Sequence, residues 1–243
     1  MTNLLNPFRM ASPGGGGLAG YDAPTPFKNS TTQQTFGGAG VWDYPVVAGE
    51  LVLVSMHAEG NATIINPTNF ALSLGGTAMT RITGSATTSS GVFPGSAHFW
   101  IIAPSTSTLA LAADVGVSAR ACALVARRIT GFDAGTPIGA GLGAPSKLNA
   151  DDVTLTAGSG ITTGRAGNVV IGDACTKAGT ATTASSTAFD GMAYDTTGAT
   201  TISDLGFGFG HKLLPAPTLI TPDWTFDVSG RLSGSFVEIN VAP

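Results

Sequence analysis

Three histidines, a thin scatter of acids and two cysteines are the residues of this chain with types suited to chemistry. His57, His98 and His211 each lie inside an apolar run, in "VSMHAE", "SAHFWI" and "FGHKL", with no second ligand or base at motif spacing. Histidine embedded in a strand-like run is usually a partly buried or interface residue. A serine nucleophile wants a G-x-S-x-G elbow between strand and helix, and "GSGI" and "SGSF" supply neither. Glycoside cleavage wants two carboxyl groups roughly 5–9.5 Å apart across a cleft. Asp151 and Asp152 are sequence neighbours, so a regular strand sends them to opposite faces. Asp223 and Asp227 share a face, but a solvated strand edge accounts for them equally well. The glycine runs "PGGGGLAG" and "GAGLGAP" carry no Walker lysine and open no helix, which argues against phosphate cradling. No CxxC pair or Cys/His cluster points to a metal, no cofactor motif is present, and the expectation is a chain that is not an enzyme. Cys122 in "RACALVARR" and Cys175 in "NVVIGDACT" read as small core residues; whether they pair stays open.

The elements that would position such residues are strands. Short β-rich runs at 50–58, 69–76, 97–103, 119–131, 151–157, 168–176, 205–214, 223–230 and 233–242 are separated by Gly, Pro, Asn, Ser and Thr clusters, and no stretch carries a capped helical stripe. In "SFVEINVA", Val237, Ile239 and Val241 take one face while Glu238 and Asn240 take the other. "LGFGFGHKL" alternates Phe207 and Phe209 with glycine. An aromatic platform for flat ligands is one reading of it, and a core strand whose glycines admit a close neighbour is the favoured one. Nine such runs predict an all-β, antiparallel, jelly-roll-like β-sandwich. "AGELVLVSMHAEG" with "ACALVARRITGFD" loosely echoes "AGNVVIGDACTKAG" with "SGSFVEINVAP", as though each pair were central partners in a core. The echo is too loose to establish duplication. The expected organisation is an extended N-terminal docking arm over residues 1–40 and one sandwich domain over 41–243.

Composition limits the partners. The 243 residues are 43% hydrophobic, enough for a large core, yet only 11% are charged, well below the roughly 25% of an ordinary soluble domain. Gly, Ala, Thr and Ser fill the surface instead, as suits packing against other subunits or contact with sugars. A net charge of −4 with no basic stripe excludes the phosphate-neutralising surface that nucleic acid requires. No run approaches the ~18–20 apolar residues of a membrane helix. Leu4 and Leu5 are cut off by Asn6-Pro7 before any secretory apolar stretch develops. The expectation is therefore no membrane insertion and no signal-led export. Leu4, Leu5, Pro7 and Phe8 ahead of a glycine tract form a short apolar hook on a leash. A free tail is the plain account of such a segment, and docking onto another protein is the functional one.

The succession "AGELVLVSMHAEGN", "FALSLGGTAMTRI", "AHFWIIAPSTSTLALAADVG", "ACALVARRITGFD" and "GSFVEINVAP" resembles β-sandwich appendage proteins of tailed bacteriophages and gene transfer agents, and "NLLNPFRM" resembles the N-terminal starts of such virion proteins. The resemblance runs from Val41 onward. The arginine usual at the end of the family's first core strand is replaced by "SMHAEG", and the loops 82–96 and 175–201 are this chain's own. It implies a virion location, docking to other virion proteins through the arm, a homo-oligomer (a trimer, by analogy with phage fibres) and a tail-fibre or spike role in host-surface recognition. A capsid decoration protein is the alternative, with a free carbohydrate-binding module or hydrolase behind it. Loops carry binding on such scaffolds. In the 175–201 segment a small-residue stretch ends in Phe189, Asp190, Tyr194 and Asp195, whose rings and carboxylates have the makeup of a glycan-contacting tip; the competing reading is that Phe189 and Tyr194 cap the sandwich.

Overall fold

The computed structural model describes residues 20–21, 25–29, 35–36, 42–60, 66–85, 87–88, 94–116, 119–145, 152–177, 183–190, 193–196 and 205–243. Among these there are strands and turns, one 3-10 turn at Pro67–Asn69 and no α-helix; no helix is long and apolar enough to cross a membrane.

The first half contains β1 (Gly20–Tyr21), β2 (Thr25–Asn29), β3 (Thr35–Phe36), β4 (Asp43–Val46), β5 (Leu51–Gly60), β6 (Ala71–Leu74), β7 (Thr77–Ala78), β8 (Thr80–Arg81), β9 (Thr87–Thr88), β10 (Gly95–Ile102), β11 (Ser107–Asp114) and β12 (Ala119–Thr130). In one sheet β1 and β2 pair with β12, β12 with β5, β5 with β10, and β10 with β8 and β9. In the other, β3 and β4 pair with β11, β11 with β6, and β6 with β7. Side chains alternate along each strand, so Val52, Val54 and Met56 of β5, Phe99 of β10 and Leu124 of β12 face the second sheet. There they meet Tyr44, Leu72, Leu74 and Leu111 in a closed core.

The second half contains β13 (Ile138–Pro145), β14 (Asp152–Thr156), β15 (Ile161–Thr162), β16 (Val169–Lys177), β17 (Ala184–Ser185), β18 (Ala193–Thr196), β19 (Leu205–Leu213), β20 (Leu219–Ile220) and β21 (Asp223–Ile239). The pairing order repeats: β13 with β21, β21 with β16, β16 with β19, β19 with β18. The registers repeat as well. Leu51 lies opposite Ile102 and Ile129, and Val169 lies opposite Leu213 and Ile239. β14 and β17 pair with the first part of β21, as β4 and β6 pair with β11. One long strand thus fills the places of both β11 and β12, which the first half separates by a turn at Gly116, φ +73°. The loose sequence echo coincides with a repeat of strand order, and the described residues of 42–243 pack as two stacked sandwiches, each with its own core.

The second core is aromatic. Phe189, Trp224, Phe226 and Phe236 gather with Leu155 and Val170. Glycines on the facing strands make room: a side-chain carbon on Gly172 would collide with the rings of Phe189 and Phe236, and one on Gly208 would lie 2.7 Å from the Trp224 ring. That geometry explains the "GFGFG" alternation. The glycines admit Trp224 on one face while Phe207 and Phe209 are buried on the other.

That other face is a third packed layer. Leu51 and Leu53 of β5 and Ile129 of β12 meet Val169 and Ile171 of β16 and Val237 and Ile239 of β21. Ala123 and Val125 meet Cys175, Phe207 and Phe209. The central strands are consequently buried on both faces, so "ELVLVS" and "NVVIGDAC" read as continuous apolar runs rather than alternating ones.

Within the expected 1–40 arm, residues 20–21 and 25–29 pair with β12 and residues 35–36 with β11. Leu4, Leu5, Pro7 and Phe8 lie outside the described residues.

Replacing Gly208 by valine is expected to lower stability by ~1–3 kcal/mol through overpacking against Trp224. Urea denaturation checks this, and an unchanged midpoint would contradict the packing described.

Candidate functional site

The densest set of reactive side chains is sealed in the middle of the third layer. Each of the six central strands contributes to it: Ser55 and His57 from β5, Ser96 and His98 from β10, Arg127 from β12, Asp173 and Cys175 from β16, His211 from β19, and Ser233 and Ser235 from β21. His57, His98, Arg127, Asp173 and the four serines are fully buried, and His211 is 8% exposed.

Arg127 and Asp173 form its centre. The guanidinium engages both carboxylate oxygens, through Nη1 to Oδ2 at 2.7 Å and through Nη2 to Oδ1. The flat fork of arginine suits this two-point grip, and its Cζ lies 6.0 Å from the centre of the Phe209 ring. Burial by itself would raise the carboxyl pKa of Asp173, but Arg127 and the His98 hydrogen bond outweigh it and hold the group ionised, well below the usual carboxylate range. His98 Nε2 lies 3.0 Å from the same Oδ2. Desolvation lowers the His98 pKa against the pull of Asp173, which makes the ring neutral. A neutral ring donating from Nε2 to Asp173 must accept at Nδ1, and Ser235 Oγ is there at 2.6 Å as the donor.

His57 is held by hydroxyls: Ser96 Oγ is 2.8 Å from Nδ1 and Ser55 Oγ is 3.2 Å from Nε2, while the ring stacks on Phe207. Burial lowers its pKa to about 4, with Asp173 opposing and His98 and Arg127 reinforcing the shift. Ser233 Oγ bonds Ser96 Oγ at 3.0 Å, which closes the network across the layer. His211, lowered chiefly by burial and then by Arg127, with Asp190 opposing, completes the set.

Ser235, His98 and Asp173 have the bonding order of an acyl-transfer triad. All three are fully buried, and Asp173 is already clamped by Arg127. What the arrangement can do is hold a charge pair and a chain of protons out of water while joining two sandwiches.

The other anticipated residues lie elsewhere. Phe189 is 3% exposed and stacks on Trp224, with ring centres 5.7 Å apart, and on Phe236. It is a core residue of the second sandwich and is removed from the proposed glycan-binding set, because no ligand can stack on a ring enclosed between two others. Asp190 is exposed and bonds Lys212 Nζ at 2.7 Å. Tyr194 and Asp195 lie in β18, opposite Gly208 and Phe207 at the sheet edge. Asp223 does not pair with Asp227. Its carboxylate accepts from Ser186, Thr187 and Ala188, and Asp227 accepts from Thr183, so both fasten the segment that carries Phe189. Cys122 and Cys175 are not joined by a disulfide; the first lies in the first core and the second in the inter-sandwich layer.

Arg127 and Asp173 were missing from the residues singled out by sequence. Asp173 interrupts "VVIGDAC" with apolar neighbours on both sides, and Arg127 sits in "ALVARRI". A charge inside a run buried on both faces requires a partner, and that requirement was the available clue.

No protein-family model matches this chain, and no curated protein or solved structure matches it.

Changing Arg127 to methionine alone is expected to cost ~3–5 kcal/mol because Asp173 is left charged and unpaired, whereas Arg127→Met with Asp173→Leu recovers most of that loss. Denaturation of the two single variants and the double variant checks this; additive losses would count against the pair. Stability also depends on acid. The unfolded chain protonates His57 near pH 6.5 and the folded one only near pH 4, so stability is full above about 6.5 and falls as pH drops through that window. The expected loss is about 3 kcal/mol, and the slope should flatten in His57→Gln, as read from denaturation midpoints between pH 7 and 4.

Proposed function

We propose that this chain is a structural component of a tailed-phage virion, an appendage of tail-fibre or spike type that docks by its N-terminal residues and presents two jelly-roll sandwiches to the host surface. The observation that carries this reading is strand order. Taking β1 and β2 as one strand and leaving aside β3, β8 and β9, the first half reads first–eighth–third–sixth in one sheet and second–seventh–fourth–fifth in the other. That alternation supports reading the fold as a jelly roll, an architecture used by viral capsid and lectin domains. The second half follows the same order through β13, β21, β16 and β19.

Two further features support a particle role over chemistry. The side chains of catalytic type that cluster together are sealed between the sandwiches. The chain is also poor in charge and rich in small polar residues, as suits contact with neighbouring subunits or sugars. Leu4, Leu5, Pro7 and Phe8 are the proposed docking hook toward other virion proteins. Asp190, Tyr194 and Asp195, at the β18 edge and the turn before it, are the proposed host-glycan contact.

Deleting residues 1–19 is expected to leave a folded protein that no longer enters particles, as read by immunoblot of purified virions; incorporation at the normal level would refute docking by this segment. Tyr194→Ala with Asp195→Ala is expected to reduce adsorption to cells with the melting temperature unchanged. Unimpaired adsorption would remove these residues from recognition.

A further inference from the structure

The third layer differs from the two cores in how it is joined. Among the described residues, the ladders of β5, β10 and β12 and those of β16, β19 and β21 stay within their own sheets. Backbone bonds between the halves occur where the chain crosses over: Asp133 N–H to Asn240 O, Ala242 N–H to Gly131 O, and the bridge between Phe132 and Val241. Away from that crossing, among the described residues, the sandwiches meet through side-chain packing and the close approach of Thr83–Ser85 to Gly141, and each sandwich has a core of its own.

Among the described residues, the charged and titratable groups at the centre of the layer are three histidines, one arginine and one aspartate, and Arg231 of β21 lies opposite Lys177 of β16 further along the same faces. His57 on β5 faces Asp173, His98 and Arg127; His98 on β10 faces Asp173 and Arg127; His211 on β19 faces Arg127 and Asp190. Cys175 approaches Ser96, and Lys177 lies further along the same face of β16. With the rings neutral, Arg127 and Asp173 balance. A proton added to His57 or His98 places a positive charge beside Arg127, where the fully buried carboxylate among the described residues, Asp173, is already paired with Arg127. A buried uncompensated charge is relieved by reaching water.

We infer that this layer is an acid-opened latch: protonation of His57, His98 and His211 drives the two sandwiches apart as folded bodies, hinged at residues 131–137. Burial depresses all three histidines, so the layer stays shut at neutral pH and the stress builds only in acid.

The two thiols provide an internal test in the unaltered protein. Cys175 lies in the layer and Cys122 in the first core, so opening exposes the first and leaves the second covered. Full-length protein is stepped from pH 7 to 4 and treated with dithiodipyridine, which reacts with thiols in acid, and the labelled cysteine is located by peptide mass spectrometry. The expected result is labelling of Cys175 at a pH about one unit or more above that which labels Cys122, with a larger radius of gyration by solution scattering and unchanged strand content by circular dichroism. Simultaneous labelling of both cysteines would mean that the layer melts only with the cores, and would overturn the latch. Absence of Cys175 labelling down to pH 4 would overturn it equally. In His57→Gln and His98→Gln variants that fold at pH 7, the Cys175 transition is expected to move to lower pH; an unmoved transition would reject the histidines as the trigger.

Discussion

Arg127 and Asp173 come from different halves of the chain and meet where no water can share their charge. Neither is tolerable alone: an unpaired ion in such a place costs several kcal/mol, whereas the pair is close to neutral in its effect. The two sandwiches must therefore stack so that β12 of one lies across from β16 of the other, within the reach of a two-point hydrogen bond. Around that contact the side chains are short. Ser55, Ser96, Ser233 and Ser235 let the sheets approach to the ~10 Å usual for stacked sheets; the hydroxyls of Ser55, Ser96 and Ser235 occupy histidine nitrogens that would otherwise be unsatisfied, and Ser233 bonds Ser96.

The repeated register shows how the halves became unlike. Ser55 and Asp173 occupy the same place in their sheets, as do His57 and Cys175, His98 and Phe209, Val125 and Ser235, and Arg127 and Val237. The acid stands on the central strand of the second half alone, and the arginine beside the central strand of the first alone. Stacking two first halves would bury two guanidinium groups, and stacking two second halves would bury two carboxylates. The pair thus selects the unlike combination over either like one, a use of buried charge for specificity rather than for stability.

Much of the strand content was legible in the sequence because strands leave local traces, and the runs over β5, β10, β12, β16 and β19 stand close to where the sequence put them. β11 and β13 were missed for opposite reasons. "STLALAAD" is made mostly of small residues, with Leu109 only partly buried beside the buried Leu111 and little contrast between faces, and "IGAGLGAP" is glycine-rich and packs at a sheet edge against Ile82 and Thr83. β21 was divided in two at Gly230, where its partner changes from β14 to β16 without a break in the strand. The buried network was hidden because its members lie up to 180 residues apart in sequence, as Ser55 and Ser235 do, and their meeting depends on the stacking of two sandwiches that local pattern does not encode. Phe189 misled because aromatics near acids look alike at a glycan-binding tip and at a core. Gly172, which marks the hole its ring fills, lies on another strand.

The apolar groups of the layer are arranged to serve its polar centre. Leu51, Leu53, Ile129, Ile171, Val237 and Ile239 close one end, and Val125, Phe207 and Phe209 close the other. Excluding water at both ends lowers the local dielectric, which strengthens the Arg127–Asp173 attraction and in equal measure raises the cost of any further charge. The same seal therefore makes the joint firm with neutral histidines and intolerant of protonated ones. The short connection between β12 and β13 adds the remaining element. Because the sandwiches belong to one chain, closing the layer carries no cost of bringing two molecules together, and a polar interface that would be marginal between separate proteins suffices within one.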